Sequence, residues 1–121
     1  MNIVSIRGAI TVVENKKEEI LKSTKELLIE IEKKNNLHKD NVICILFSST
    51  KDLNAEYPAK AARLLGYNQC GLMCFNEMYV LDNLKKCIRL MLLYQSDFLE
   101  QKDVSHVYLK GAKILRPDLS T

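Results

Sequence analysis

Residues 15–36 read NKKEEILKSTKELLIEIEKKNN. Ile20, Leu21, Thr24, Leu27, Leu28 and Ile31 recur at helical spacing and make one apolar stripe, while Lys and Glu fill the opposite face. Asn15 with Glu18 three residues on predicts an N-cap and capping box, and Asn35-Asn36 predicts the end. The reading is an amphipathic helix over 16–34 whose charge run is a solvated face. A helix with one apolar stripe must pack on something. Before it, residues 1–13 are rich in Ile and Val and predict a strand. After it, residues 42–47 form a short continuous apolar run and predict a buried strand.

Ser48, Ser49 and Thr50 lead out of that strand. Pro58 suits the first turn of a second helix and Gly66 its end, giving a helix over 58–65. Residues 71–75 predict a third strand. In 86–95, Ile88, Leu90 and Leu92 alternate with Arg89, Met91 and Leu93, all but one apolar, so periodicity alone does not separate strand from helix. Residues 106–115 predict a last strand, closed by Arg116-Pro117. Taking 86–95 as a strand gives the order β-α-β-α-β-β-β. That is an α+β (α/β-like) chain, one domain over 1–121, with a mixed sheet and two main helices on one face. Two helices leave the other sheet face and the edges uncovered, and association of subunits is the expected remedy.

A net charge of +3, with no Lys/Arg-rich run, argues against a nucleic-acid partner. The amino-terminal apolar stretch carries Arg7 in its middle and lacks the build of a signal peptide. No apolar run nears the ~20 residues that span a bilayer. The expectation is a soluble cytoplasmic chain, not a membrane protein. Cys44, Cys70, Cys74 and Cys87 are then reduced thiols, with Cys44 and Cys87 packed in the core. There is no Cys-x-x-Cys, and only His38 and His106 could join a zinc site, so no metal is expected. Gly-rich phosphate loops and Gly-x-Ser-x-Gly are missing. Cys74 with a distant His106 lacks an evident third group for a thiol nucleophile.

The remaining chemistry is basic. Arg7 and Arg89 fall inside apolar strand patterns, where a half-buried cation is costly unless paired; the alternative is an outward, solvated side chain. Glu77, in the loop after Cys74, is a candidate partner for Arg89. Lys60 and Arg63 share a face of the second helix with Tyr57, as solvated surface or as the rim of an anion site that Arg116 could join. Basic residues, one acid and no nucleophile suit electrostatic catalysis or simple ligand binding.

Several blocks in one register resemble a known family. They are Arg7-Gly8-Ala9, Pro58-Ala59-Lys60-Ala61 with Arg63, and Cys74-Phe75-Asn76-Glu77-Met78. Leu84-Lys85-Lys86-Cys87-Ile88-Arg89, His106-Val107-Tyr108-Leu109 and Leu115-Arg116-Pro117-Asp118-Leu119-Ser120 continue the match over nearly the whole chain. The resemblance is to the small monofunctional bacterial chorismate mutases. It implies a homotrimer whose three sheets pack as a pseudo-α/β barrel, with active sites in clefts between subunits. It also implies a cofactor-free Claisen rearrangement of chorismate to prephenate, in aromatic amino-acid biosynthesis.

By the same resemblance, Arg89 supplies a cation beside the ether oxygen, where negative charge develops as the C–O bond stretches. Glu77 accepts a hydrogen bond from the ring hydroxyl. Arg7 clamps a substrate carboxylate, with Tyr108 hydrogen-bonding nearby. Cys74 is a polar contact to the ring hydroxyl and not a nucleophile. Tyr57, Ala59, Lys60 and Arg63 line the wall from the neighbouring subunit. Met73 and Leu115 complete the substrate-binding set, and Arg116 with the tail helps close the mouth. Departures from the family pattern are Ile10, Lys51, Tyr57, Asn76 and Tyr79, none at a charged catalytic candidate. Members often carry a longer tail than one ending at Thr121, so the resemblance does not extend to tail closure. Two other readings are an enamine/imine deaminase-like trimer of the same architecture, whose characteristic blocks this chain lacks, and a non-catalytic ligand sensor, which Glu77 and Arg89 argue against.

Overall fold

Alternation sets the first strand. Val4, Ile6, Gly8 and Ile10 are buried on one side of β1 (Asn2–Thr11), while Ser5 and Arg7 on the other side are half-buried. The computed structural model describes residues 1–118. After β1 come α1 (Lys17–Asn35), β2 (Val42–Ser49), α2 (Pro58–Leu64), β3 (Gly71–Asn76), β4 (Cys87–Ser96) and β5 (Val107–Leu109). The five strands form one mixed sheet in the order β3-β2-β4-β1-β5. β4 runs antiparallel to both β1 and β2, while β2–β3 and β1–β5 are parallel pairs. The ambiguous segment 86–95 is thus the central strand. Ile88, Leu90, Leu92 and Tyr94 point to the core and Arg89 and Met91 away from it.

Both helices cover one face. Ile20, Leu27, Leu28 and Ile31 of α1 are fully buried against Val4, Ile6, Ile45, Phe47, Ile88 and Leu92 of the sheet. Each such side chain contributes about 1.5–3 kcal/mol. β1 comes so close to α1 that a Cβ on Gly8 would lie 2.8 Å from Ile31 Cδ1. α2 buries Ala59, Ala61 and Ala62 and ends as expected, with Gly66 left-handed at φ +103°. Asn36 ends α1 in the left-handed conformation.

Three expectations are corrected. Asn15 does not cap α1: the cap position is Lys16, with no side-chain cap bond. The Asn15 carboxamide instead accepts the Asn54 and Ala55 backbone N–H groups, pinning the loop before α2. The last strand is only Val107–Leu109, because Lys110 turns left-handed at φ 54° and residues 110–114 wind into a 3-10 helix. Gly111 N–H donates to Thr11 Oγ1 there, closing the chain back onto β1. Cys44 is half-buried on the helix-free side of β2, away from the core, whereas Cys87 is buried. No helix among the described residues is long and apolar enough to cross a membrane.

Candidate active site

The helix-free face of the sheet carries the charges, and strand register sets their spacing. Arg89 pairs with Ala9 on one side and Ser48 on the other; Ala9 pairs in turn with Tyr108, and Ser48 with Phe75. One row across all five strands therefore reads Phe75–Ser48–Arg89–Ala9–Tyr108. The small side chains flanking Arg89 leave open space over its guanidinium. In the next row Arg7 pairs with Met91. Together they form a groove of about 590 Å³ lined by Arg7, Phe75, Arg89, Tyr108, Leu115 and Arg116.

Arg89 is held at the base of this groove. The start of β4 is fastened by Asp52, which accepts the Lys86 N–H with both carboxylate oxygens (3.1 and 3.0 Å) and the Thr50 hydroxyl. Thr50 Oγ1 also accepts the Cys87 N–H at 3.0 Å. Glu77 is fixed from β2: its N–H donates to Ser49 O at 2.9 Å, and its Oε1 accepts the Ser48 hydroxyl at 2.5 Å. That same Oε1 lies 3.4 Å from Arg89 Nε, an ion pair without hydrogen-bond geometry. Arg89 Nε is consequently a buried donor with no hydrogen-bond partner.

The Cys87 thiol, two residues before Arg89 on the same face of β4, is pushed up to about 11 by burial, against the pull of that guanidinium. It is a neutral packing group beside the cation. Burial also raises the Cys74 thiol, partly offset by the Ala59 backbone and the Arg63 cation. Both effects together leave the Cys74 thiol raised. At the mouth, Arg116 forks onto Asp118 (3.1 and 2.8 Å).

The expected site residues therefore divide in two. Arg7, Arg89, Tyr108, Leu115 and Arg116 share the groove, and Glu77 joins them through Arg89. Tyr57, Ala59, Lys60, Arg63 and Cys74 gather elsewhere, where α2 meets β3. Cys74 pairs with the fully buried Phe47 and so faces the helix side of the sheet. Tyr57 and Arg63 are exposed, Ala59 is buried, and Lys60 reaches Glu56 at 3.6 Å. Met73 is exposed on the groove side of β3, in the row of Met91 and Arg7. The tail, Leu119–Thr121, lies outside the described residues.

Sequence reasoning missed Ser48, the hydroxyl that orients Glu77, and His106, whose Nδ1 accepts the Arg7 N–H at 2.9 Å. Only strand register identifies them. Among the described residues no group of three or more His, Cys, Asp or Glu side chains could hold a metal ion.

A mixed sheet with helices on one face and an arginine-lined groove on the other has counterparts among known proteins. The family model for chorismate mutase type I matches residues 3–119, and the chain belongs to that family. It is 46% identical to chorismate mutase AroH of Bacillus subtilis (strain 168) over 121 residues, covering 99% of this chain and 94% of the relative. It is 38% identical to chorismate mutase AroH of Thermus thermophilus over 117 residues, covering 96% and 95%. A solved structure, chorismate mutase from Clostridium thermocellum, superposes with a TM-score of 0.88 at 48% identity, covering 91% of this chain and 97% of that one. The chain is thus a chorismate mutase by family, by sequence relatives and by fold.

Proposed function

We propose that Arg89, Glu77 and Arg7 carry the rearrangement of chorismate to prephenate, in aromatic amino-acid biosynthesis. The observation that carries this reading is the Arg89 guanidinium lining the groove, with the Glu77 carboxylate 3.4 Å from its Nε. One C–O bond breaks as one C–C bond forms within the same molecule, so no group need be protonated or attacked. The site has two tasks. It holds the flexible enolpyruvyl arm in its compact reactive shape, and it stabilises charge that appears only as the ether bond stretches. Arg89 meets the ether oxygen. Glu77, oriented by Ser48, accepts the ring hydroxyl and balances positive character on the ring. Arg7 grips a carboxylate, with Tyr108 beside it in the groove and Leu115 and Arg116 at its rim.

The groove is open on one side, and the second group of residues sits too far round the subunit to close it. A neighbouring copy supplies that wall. Tyr57, Ala59, Lys60 and Arg63 form it, with Cys74 and Met73 as further substrate contacts, in a homotrimer built by packing the three helix-free faces. Exposed Met73, Phe75 and Met91 on that face give the association its apolar area. Residues 1–121 act as a single domain, in the cytoplasm.

The test is loss of chorismate absorbance, with prephenate identified as product, by purified protein without added metal or cofactor. Arg89→Ala is expected to lower kcat by about 10²–10³-fold, the loss typical of one preorganised oxyanion donor, and Glu77→Ala to lower it as well. Full turnover by folded Arg89→Ala would contradict the mechanism.

A further inference from the structure

We propose that His106 is a positioning residue for Arg7, fixing the β1 backbone at the groove only while its imidazole is neutral. The inference rests on the reading of Arg7 as the carboxylate clamp.

β5 joins β1 as a parallel pair from Gly8 and Val107 onward. One residue earlier the partner of the Arg7 N–H is not a backbone carbonyl but His106 Nδ1, at 2.9 Å. The ladder is thus closed by an imidazole at the very residue whose side chain enters the groove. An accepting Nδ1 places the proton on Nε2. The backbone just before His106 is anchored: the buried Asn35 carboxamide accepts the Ser105 N–H at 2.7 Å and donates to Ser105 O at 2.9 Å. The end of α1 therefore sets His106, and His106 sets Arg7.

The charged groups facing the ring come from two segments. Arg7 projects from β1, and Arg116 from the chain after β5, with Asp118 bonded to Arg116. Burial first, then these two cations, hold His106 below the usual imidazole range. Protonation would turn the acceptor into a donor opposite an N–H and add a third positive charge. The bond from Arg7 N–H would be lost, and the clamp would lose its seat, only at a pH below the ordinary histidine range.

Asparagine separates the two roles, because its carbonyl oxygen can stand in for Nδ1 but does not titrate. The experiment measures kcat and KM for wild type, His106→Asn, His106→Ala and Arg7→Ala between about pH 5 and 8, with folding followed by circular dichroism. His106→Ala is expected to raise KM about five- to tenfold, the loss of one hydrogen bond, with less change in kcat. His106→Asn should restore KM at neutral pH. Wild-type kcat/KM should fall on the acid side of neutrality while the His106→Asn profile stays flat. An acid fall that persists in His106→Asn, or a folded His106→Ala with unchanged KM, would overturn the proposal. Arg7→Ala with wild-type KM would overturn the clamp reading and this inference together. A weakened Arg7→Ala beside a silent His106→Ala would sink the inference alone. Should His106→Ala fail to fold, the His106→Asn profile decides.

Discussion

Ala9 and Ser48 stand on either side of Arg89 in the same row of the sheet, and their small size decides what the guanidinium can reach. A lysine there would keep the charge but lose the planar fork and the Nε donor. Arg89→Lys is therefore expected to fall close to Arg89→Ala in kcat, measured on chorismate at saturation. Two residues before it on β4, Cys87 is 1% exposed and its thiol is raised to about 11. Iodoacetamide at about pH 8, where an ordinary thiol of pKa ~8.5 is partly ionised, is expected to leave Cys87 unmodified in the folded protein. Mass spectrometry of the peptides checks this, and rapid labelling of Cys87 would mean that its packing against Ala9, Tyr108 and Ala112 opens. At this scale the sequence was partly legible. Arg7, Arg89 and Glu77 stood out as charges in or near strand patterns, and the pairing of Arg89 with Glu77 follows from the ion pair at 3.4 Å. Ser48 and His106 carried no such signal, because a serine leaving a strand and a histidine entering one are ordinary until register sets them beside Glu77 and Arg7.

The elements were legible where one period dominated. α1 could be read because its apolar stripe is regular, and β1 because Ile and Val alternate with polar residues. β4 was ambiguous because it is central: nearly every position is apolar, so neither period stands out. The end of β5 was misread because a left-handed Lys110 has no composition cue. Asn15 was misread as a cap because Asn54 and Ala55, 39 and 40 residues away, compete for its side chain. Close packing of α1 on β1 yields a prediction at this scale. A methyl on Gly8 would lie 2.8 Å from Ile31 Cδ1, 3.2 Å from Leu27 Cδ1 and 3.3 Å from Val107 O. The two side chains can shift, but the carbonyl belongs to the β1–β5 ladder. Gly8→Ala is expected to destabilise the fold by about 1–3 kcal/mol, as overpacking does, read from urea or thermal unfolding. An unchanged midpoint would mean that α1 rides less tightly on the sheet than described.

The whole subunit is two-sided, with a helix-covered face that holds the core and a bare face that holds the groove. The uncovered face could be anticipated from the helix count, whereas the separation of the site residues between the groove and the α2–β3 edge was implied only by the family resemblance. The proposed homotrimer rests on that split: Arg89 and Arg63 would belong to one catalytic site only if different subunits supply them. The most direct measurement mixes two defective variants. Arg89→Ala and Arg63→Ala, each expected to lose most activity on its own, are unfolded and refolded together in equal amounts and assayed on chorismate. In a cyclic assembly about a quarter of the interfaces then pair an intact Arg89 with an intact Arg63, and about that share of wild-type activity should return. A mixture no more active than the separate variants would contradict the account.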